Sequence, residues 1–205
     1  DIRGDLQMHT RWSDGSDSAE EMARAAKERG YEYIAITDHS QSLKFVGGVT
    51  IEELREHAKQ VKKIADKVGI AILMGTECEV HPDGSLDYPD EVLKELDIVL
   101  AAVHTRFRMS EAEMTKRIIK AMENPHVDLV AHPTGRLLGQ RESYSVNVER
   151  LIEAGRRTGT MLEINAGPER LDLRDTQARM AQERGVKLAI NTDAHTRYQL
   201  RYMEF

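Results

Sequence analysis

With 205 residues, of which 40% are hydrophobic and 31% charged, the chain is long enough for one domain with a full core and slightly short for an eight-unit α/β barrel. A formal net charge of −6 argues against a broad basic surface for nucleic acid, so any such contact must be concentrated at one place. No run approaches the roughly 20 apolar residues of a membrane span, no secretion signal is readable, and the lone Cys78 excludes an internal disulfide framework or a thiolate zinc cage.

In chain order, short apolar runs suited to buried parallel strands fall at Asp5–His9, Tyr33–His39, Ala71–Val80, Asp97–His104, Asp128–Pro133, Met161–Ala166 and Lys187–His195. Helical segments lie between them. Capping boxes pair Ser18 with Glu21, Thr50 with Glu53 and Ser110 with Glu113, and Gly30, Gly69, Gly159 and Gly185 mark helix ends. Strand and helix alternate at a spacing of roughly 30 residues, and no Pro/Ser/Gly-rich linker divides the chain. The expectation is one domain over residues 1–205, a parallel α/β barrel or a doubly wound sheet. A start at Asp1 fits a piece cut from a longer chain, and the expected compartment is the cytoplasm.

Five of the eight histidines terminate these strands: His9 in "QMH", His39 in "ITDH", His104 in "AAVH", His132 in "VAHP" and His195 in "NTDAH", while Glu77 lies late in the third. In a parallel barrel the C-terminal strand ends share one face, so residues distant in sequence meet there. Alternation pairs Gln7 with His9, Thr37 with His39 and Asp193 with His195, and turns Asp38 and Cys78 toward the helices. Imidazoles and carboxylates in this number exceed the needs of one ion, which implies two or three of manganese, zinc or iron(II). Closely spaced divalent ions share a bridging hydroxide and clamp phosphate oxygens during in-line attack.

The motifs "DLQMHT", "TDHS", "AHP" and "NTDAH", with Glu77 and His104, resemble those of the PHP (polymerase and histidinol phosphatase) metallo-phosphoesterases. Through "GSLDYPDEVLKELDIVLAAVHTRFRMS", "NPHVDLVAHPTGRLLG" and "EINAGPERLDLRD" the chain is most similar to the C-terminal PHP domain of bacterial family X DNA polymerases. The resemblance implies a distorted seven-stranded (β/α)7 barrel with two or three Mn2+ or Zn2+ ions. It assigns Gln7, His9, Glu77 and Asp193 to the first ion, Glu77, His104 and His132 to the second, and Asp14, His39 and His195 to the third. Glu77, His104, His132 and Asp193 would then carry the catalysis. Gln7 departs from the usual His-x-His: an amide oxygen suits hard cations and tilts the site toward manganese, with loss of that ion as the alternative.

Arg106 and Arg136 follow ligands on the same face and are candidates to hold phosphate, while Arg197 either joins them or is a solvated surface residue. His57, His81 and His126 read as structural, and Met22, Met114 and Met122 as packing. Trp12 and Phe107 either stack on a base or cover the core edge. Three divalent ions would cancel the formal −6 and focus positive charge at the mouth. The resemblance implies a 3′–5′ exonuclease acting on DNA 3′ ends, with a polymerase domain in cis and no membrane. The alternatives are a small-molecule phosphomonoesterase of the histidinol phosphatase type and a non-catalytic, metal-stabilised module supporting a polymerase.

Overall fold

The computed structural model describes residues 2–205. Seven parallel strands pair in sequence order: β1 (Gly4–Asp5), β2 (Tyr33–Ile36), β3 (Ala71–Glu79), β4 (Ile98–Ala102), β5 (Leu129–Val130), β6 (Met161–Asn165) and β7 (Leu188–Asn191). The connecting helices are α1 (Ala19–Glu28), α2 (Ile51–Val68), a short α3 (Asp90–Leu93), α4 (Glu111–Met122), α5 (Val148–Thr158) and α6 (Asp175–Glu183). A 3-10 turn spans Lys44–Val46, and a 3-10 helix at Arg197–Glu204 packs beside α1 and buries Leu200. No helix is long and apolar enough to cross a membrane among the described residues.

The capping boxes at Ser18, Thr50 and Ser110 are formed and start α1, α2 and α4. Apolar stripes on these helices pack against the outer face of the sheet in a large cluster that includes Met22, Met114, Met122 and Cys78. A second, smaller cluster of Ala35, Ile98, Leu100, Ala102, Leu129, Ala131 and Ala189 fills the barrel. Four of its seven members are alanines, which suits the narrow interior of seven strands.

Two distortions shape the barrel. Strand β3 is staggered between its two neighbours, pairing β2 over Ala71–Met74 and β4 over Gly75–Glu79, and it meets the segment after β2 again at the His39–Glu77 bridge. A Cβ on Gly75 would lie 2.5 Å from the Ile98 carbonyl oxygen, so only glycine fits where β4 begins to pair. The second distortion is the seam between β1 and β7, which share no continuous ladder. One bridge, Met8 to Ala194, closes it, with His9 N–H donating to the Ala194 carbonyl at 2.8 Å. Side chains complete it: Asn191 Oδ1 accepts from Leu6 N–H at 3.0 Å and Asp5 Oδ1 from Thr192 N–H at 3.2 Å.

Except in β3, whose ladder includes Glu77, the regular ladders end before the ligand-bearing residues. His132 and Asp193 have φ of 28° and 55°, and Arg106 has φ of 59°. Left-handed backbone at non-glycine residues is costly and gathers at functional sites. Asp193 and His195 are thus brought together by a turn rather than by strand alternation.

Candidate metal centre

Glu77 occupies the middle of the site. Its place near the end of β3 buries it completely, and each carboxylate oxygen faces two imidazoles. Oε1 lies 2.7 Å from His132 Nε2 and 3.2 Å from His104 Nε2; Oε2 lies 3.3 Å from His9 Nε2 and 3.2 Å from His39 Nδ1. Asp14, on the loop after β1, does the same at the mouth, with Oδ1 3.5 Å from His39 Nε2 and 3.3 Å from His195 Nε2. Asp193 Oδ1 stands 3.0 Å from His9 Nε2. The His9 ring is sandwiched between those of His39 and His195, with centroids 4.4 and 4.3 Å away.

Three groups of side chains have ligand atoms within 4.8 Å of one another: His9, Asp14, His39 and His195; His39, Glu77 and His104; His9, Glu77 and Asp193. One of them contains the residues implied for the third ion, with His9 added, and another contains those implied for the first ion except Gln7. In the set for the second ion, His39 stands where the resemblance places His132, although His132 also touches Glu77. Bonds of about 2.1 Å to one tetrahedral ion place its ligands about 3.4 Å apart, close to the 3.2–3.5 Å spacings around Glu77 and Asp14, whereas His132 at 2.7 Å is hydrogen-bonded to Glu77.

The centre is short of hydrogen-bond partners in a way that fits divalent cations. The Gln7 amide oxygen and nitrogen, His9 Nδ1, His39 Nδ1, Glu77 Oε2 and His132 Nδ1 are all buried without a hydrogen-bond partner. Buried polar atoms are ordinarily satisfied, so several orphans around one carboxylate call for a bound charge. The electrostatics agree. Burial opposes charge on Glu77, Asp14 and Asp193, yet the surrounding imidazoles hold all three carboxyls well below the usual carboxylate range. Burial likewise opposes charge on His104, but Glu77 and Glu79 push its pKa up to about 9. For His39, burial and the neighbouring His9 win, and its pKa falls.

A further layer of side chains, whose roles the strand-end pattern does not reveal, orients this set. Glu79 Oε2 accepts from the His104 backbone N–H and lies 2.9 Å from His104 Nδ1, which leaves Nε2 to face Glu77. Glu79 in turn accepts from Thr105 Oγ1 and from the fully buried Arg117. Glu163 on β6 accepts from His132 N–H at 2.7 Å and from Asn191 Nδ2 at 2.7 Å; burial raises its pKa well above the ordinary value, favouring the neutral acid. Asp38 accepts from Thr10 and Ser13 and so fixes the loop that carries Asp14. Arg170 Nε lies 3.3 Å from Asp193 Oδ2. The available signal for Glu79 and Glu163 was an acid inside an apolar strand run, and for Glu79 its spacing of two from Glu77.

The three arginines singled out by position have different surroundings. Arg106 is exposed on the turn after β4. Arg136 is committed to the chain: Nε donates to the Arg170 carbonyl at 2.8 Å and Nη2 to the Leu171 carbonyl. Arg197 faces Asp17 and Glu21 at 3.9 and 3.7 Å and lies over Tyr198. Trp12 covers the buried His57 ring at 4.7 Å, and Phe107 carries the Arg141 guanidinium at 4.3 Å.

A parallel barrel that gathers five histidines, Glu77, Asp193 and the loop residue Asp14 around shared oxygens is built to hold metal ions at one face. The PHP domain model matches residues 5–167, and the chain belongs to the PHP domain family of phosphoesterases. It is 51% identical over 195 residues to the DNA polymerase/3′-5′ exonuclease PolX of Bacillus subtilis; the match takes in 95% of this chain but 34% of that protein. It is 34% identical over 186 residues to a probable phosphatase of Caldanaerobacter subterraneus subsp. tengcongensis, spanning 85% of this chain and 68% of the relative. The fold is shared with the histidinol phosphate phosphatase of Lactococcus lactis, solved with zinc, L-histidinol and phosphate, at a TM-score of 0.71 and 16% identity over 98% of this chain and 91% of that one.

Proposed function

We propose that the chain is a 3′–5′ exonuclease module that trims DNA 3′ ends and works beside a polymerase domain in the same polypeptide. The observation that carries the chemistry is the division of Glu77 between two pairs of imidazoles, an arrangement suited to two ions sharing one carboxylate. The 51% identity to a polymerase/exonuclease, over nearly the whole chain, favours a polynucleotide over a small phosphomonoester as substrate.

On this reading Gln7, His9, Glu77 and Asp193 hold one ion, Glu77, His104 and His132 a second, and Asp14, His39 and His195 a third. Bound manganese or zinc would supply Lewis-acid stabilisation of phosphate oxygens and activation of water. The chain's own groups do the rest. Glu79 keeps the His104 proton on Nδ1, and Glu163 holds the His132 backbone. The side chains of Asp14 and His195 are 27% and 32% exposed, against nearly none for Glu77, so substrate enters over them. Arg106, exposed at the rim, meets the phosphates upstream of the terminal one.

The test is manganese-dependent release of nucleotides from single-stranded DNA labelled near its 3′ end, compared with p-nitrophenyl phosphate. The proposal expects stepwise shortening from the 3′ end, weakened by Arg106→Ala while small-ester hydrolysis holds. Rapid turnover of the small ester with no attack on DNA would instead establish a phosphomonoesterase. Neither activity in a metal-loaded chain would leave a supporting module.

A further inference from the structure

Four large apolar side chains stand exposed on one rim. Phe45, Leu138, Leu171 and Tyr198, between 36% and 73% exposed, lie in the segments that follow β2, β5, β6 and β7. In a parallel barrel these segments share the face that carries the metal centre. Apolar residues scattered singly over a surface need no explanation, whereas a set around one mouth marks a contact surface. Phe45 is the most exposed of the four.

The loop that carries Phe45 is held at several points. Ser40 and Val49 form a bridge, and Val49 N–H donates to the His39 carbonyl at 2.8 Å, so both ends meet at a residue of the centre. Leu43 is buried, and Ser42 N–H donates to Asp87 Oδ2 at 2.7 Å. A Cβ on Gly47 would lie 3.1 Å from the Ser13 carbonyl oxygen, so the loop packs on the segment that carries Asp14. Counted in trans Cα steps, this contact keeps the Phe45 Cα within roughly 16 Å of that of Asp14. A compact loop thus presents Lys44 and Phe45, both exposed, beside the mouth.

A small phosphomonoester held at the metals is too short to span that distance, whereas a polynucleotide carries further bases and phosphates across it. A cation next to an aromatic ring suits a single strand, offering charge to the backbone and a π face to the base. Resting on the exonuclease reading above, we infer that Phe45 stacks on a nucleobase within the first few nucleotides of a single-stranded 3′ end bound at the metal centre, with Lys44 beside the adjoining phosphate. A preformed loop loses little freedom in making that contact. Every base has a π face, so the contact is indifferent to sequence.

The experiment titrates the manganese-loaded chain with phosphorothioate-linked single-stranded DNA, which resists cleavage, carrying 2-aminopurine at successive positions from the 3′ end. Affinity and 2-aminopurine quenching are read for wild type, Phe45→Ala, Phe45→Leu and Phe45→Trp, with metal content by elemental analysis. Phe45→Ala and Phe45→Leu should bind roughly fivefold to a hundredfold more weakly and lose the quenching at one position, with the metals retained, while Phe45→Trp keeps both signals. A strand lacking the base at that position should bind wild type and Phe45→Ala equally. Equal affinity of wild type and Phe45→Ala for the intact strand would overturn the inference, as would full replacement by leucine, which makes an apolar contact without stacking. A changed oligomeric state in sedimentation with DNA affinity intact would also overturn it, making Phe45 a protein contact. Shortening of unmodified DNA that does not depend on Phe45 would overturn the inference and leave the exonuclease reading standing. Phe45-dependent binding of DNA that is never shortened would uphold the inference and refute that reading.

Discussion

Gln7 brings a neutral amide to a position beside His9 where neither of its polar atoms has a partner. If its oxygen ligates the first ion, Gln7→His should raise the affinity for zinc relative to manganese, because imidazole is the better donor to the ion favoured in the Irving–Williams order. Competition titrations that leave the ratio unchanged would place Gln7 outside the ligand set. His57 makes a different prediction. It is fully buried under Trp12 with both ring nitrogens lacking a hydrogen-bond partner, and burial lowers its pKa despite Asp38 at 3.6 Å from Nδ1. The unfolded chain therefore binds a proton more readily than the folded one, so this group costs stability as pH falls below about 6.5. His57→Phe, which keeps the ring on Trp12, should flatten the decline in unfolding free energy between pH 7 and pH 5 in urea titrations; an unaltered profile would refute this. The strand-end residues were legible at this scale because imidazole and carboxylate at the ends of apolar runs stand out chemically. The arginines were not, since position after a ligand says nothing of direction: Arg136 turns back to the chain, and Arg170 reaches the centre from a loop.

Elements were read from their start signals and apolar periodicity, and the three capping boxes begin the helices they predicted. Strand ends were less legible. The apolar runs continue into segments that leave the ladder at left-handed residues such as His132 and Asp193, a property that residue type does not announce. Helix α5 carries a consequence of tight packing. Gly155 is buried there, and a Cβ on it would lie 2.9 Å from the Thr160 carbonyl oxygen and 3.3 Å from Val186. Alanine at a helix interior normally gains about 1 kcal/mol over glycine. Here overpacking should outweigh that gain, and Gly155→Ala should destabilise by about 1–3 kcal/mol in chemical denaturation. A more stable variant would mean that α5 is free to shift away from β6.

At the scale of the whole molecule, the weak seam and the metal centre coincide. Strands β1 and β7 meet through one bridge and a few side chains, yet the segments just beyond them supply Gln7, His9, Asp193 and His195. Metal should therefore staple the barrel shut, adding stability through binding to the folded state. Chelation should increase hydrogen exchange in residues 5–9 and 188–195 far more than in the β3–β4 pair, and a uniform change would argue against a stapled seam. Seven strands were expected from the repeating pattern and their closure into a barrel from the family resemblance, whereas the stagger of β3 at Gly75 and the open seam depend on contacts between distant segments.

Six of the seven strand ends, with Asp14 from the loop after β1, assemble a multinuclear metal centre around Glu77. That assembly is tested most directly by the manganese content of the purified, metal-saturated chain, measured by elemental analysis for wild type and Glu77→Gln. Wild type should hold two to three bound ions per chain, as expected for a shared carboxylate, with most of that content lost in the variant. One ion or fewer in wild type, or an unchanged content in Glu77→Gln, would contradict it.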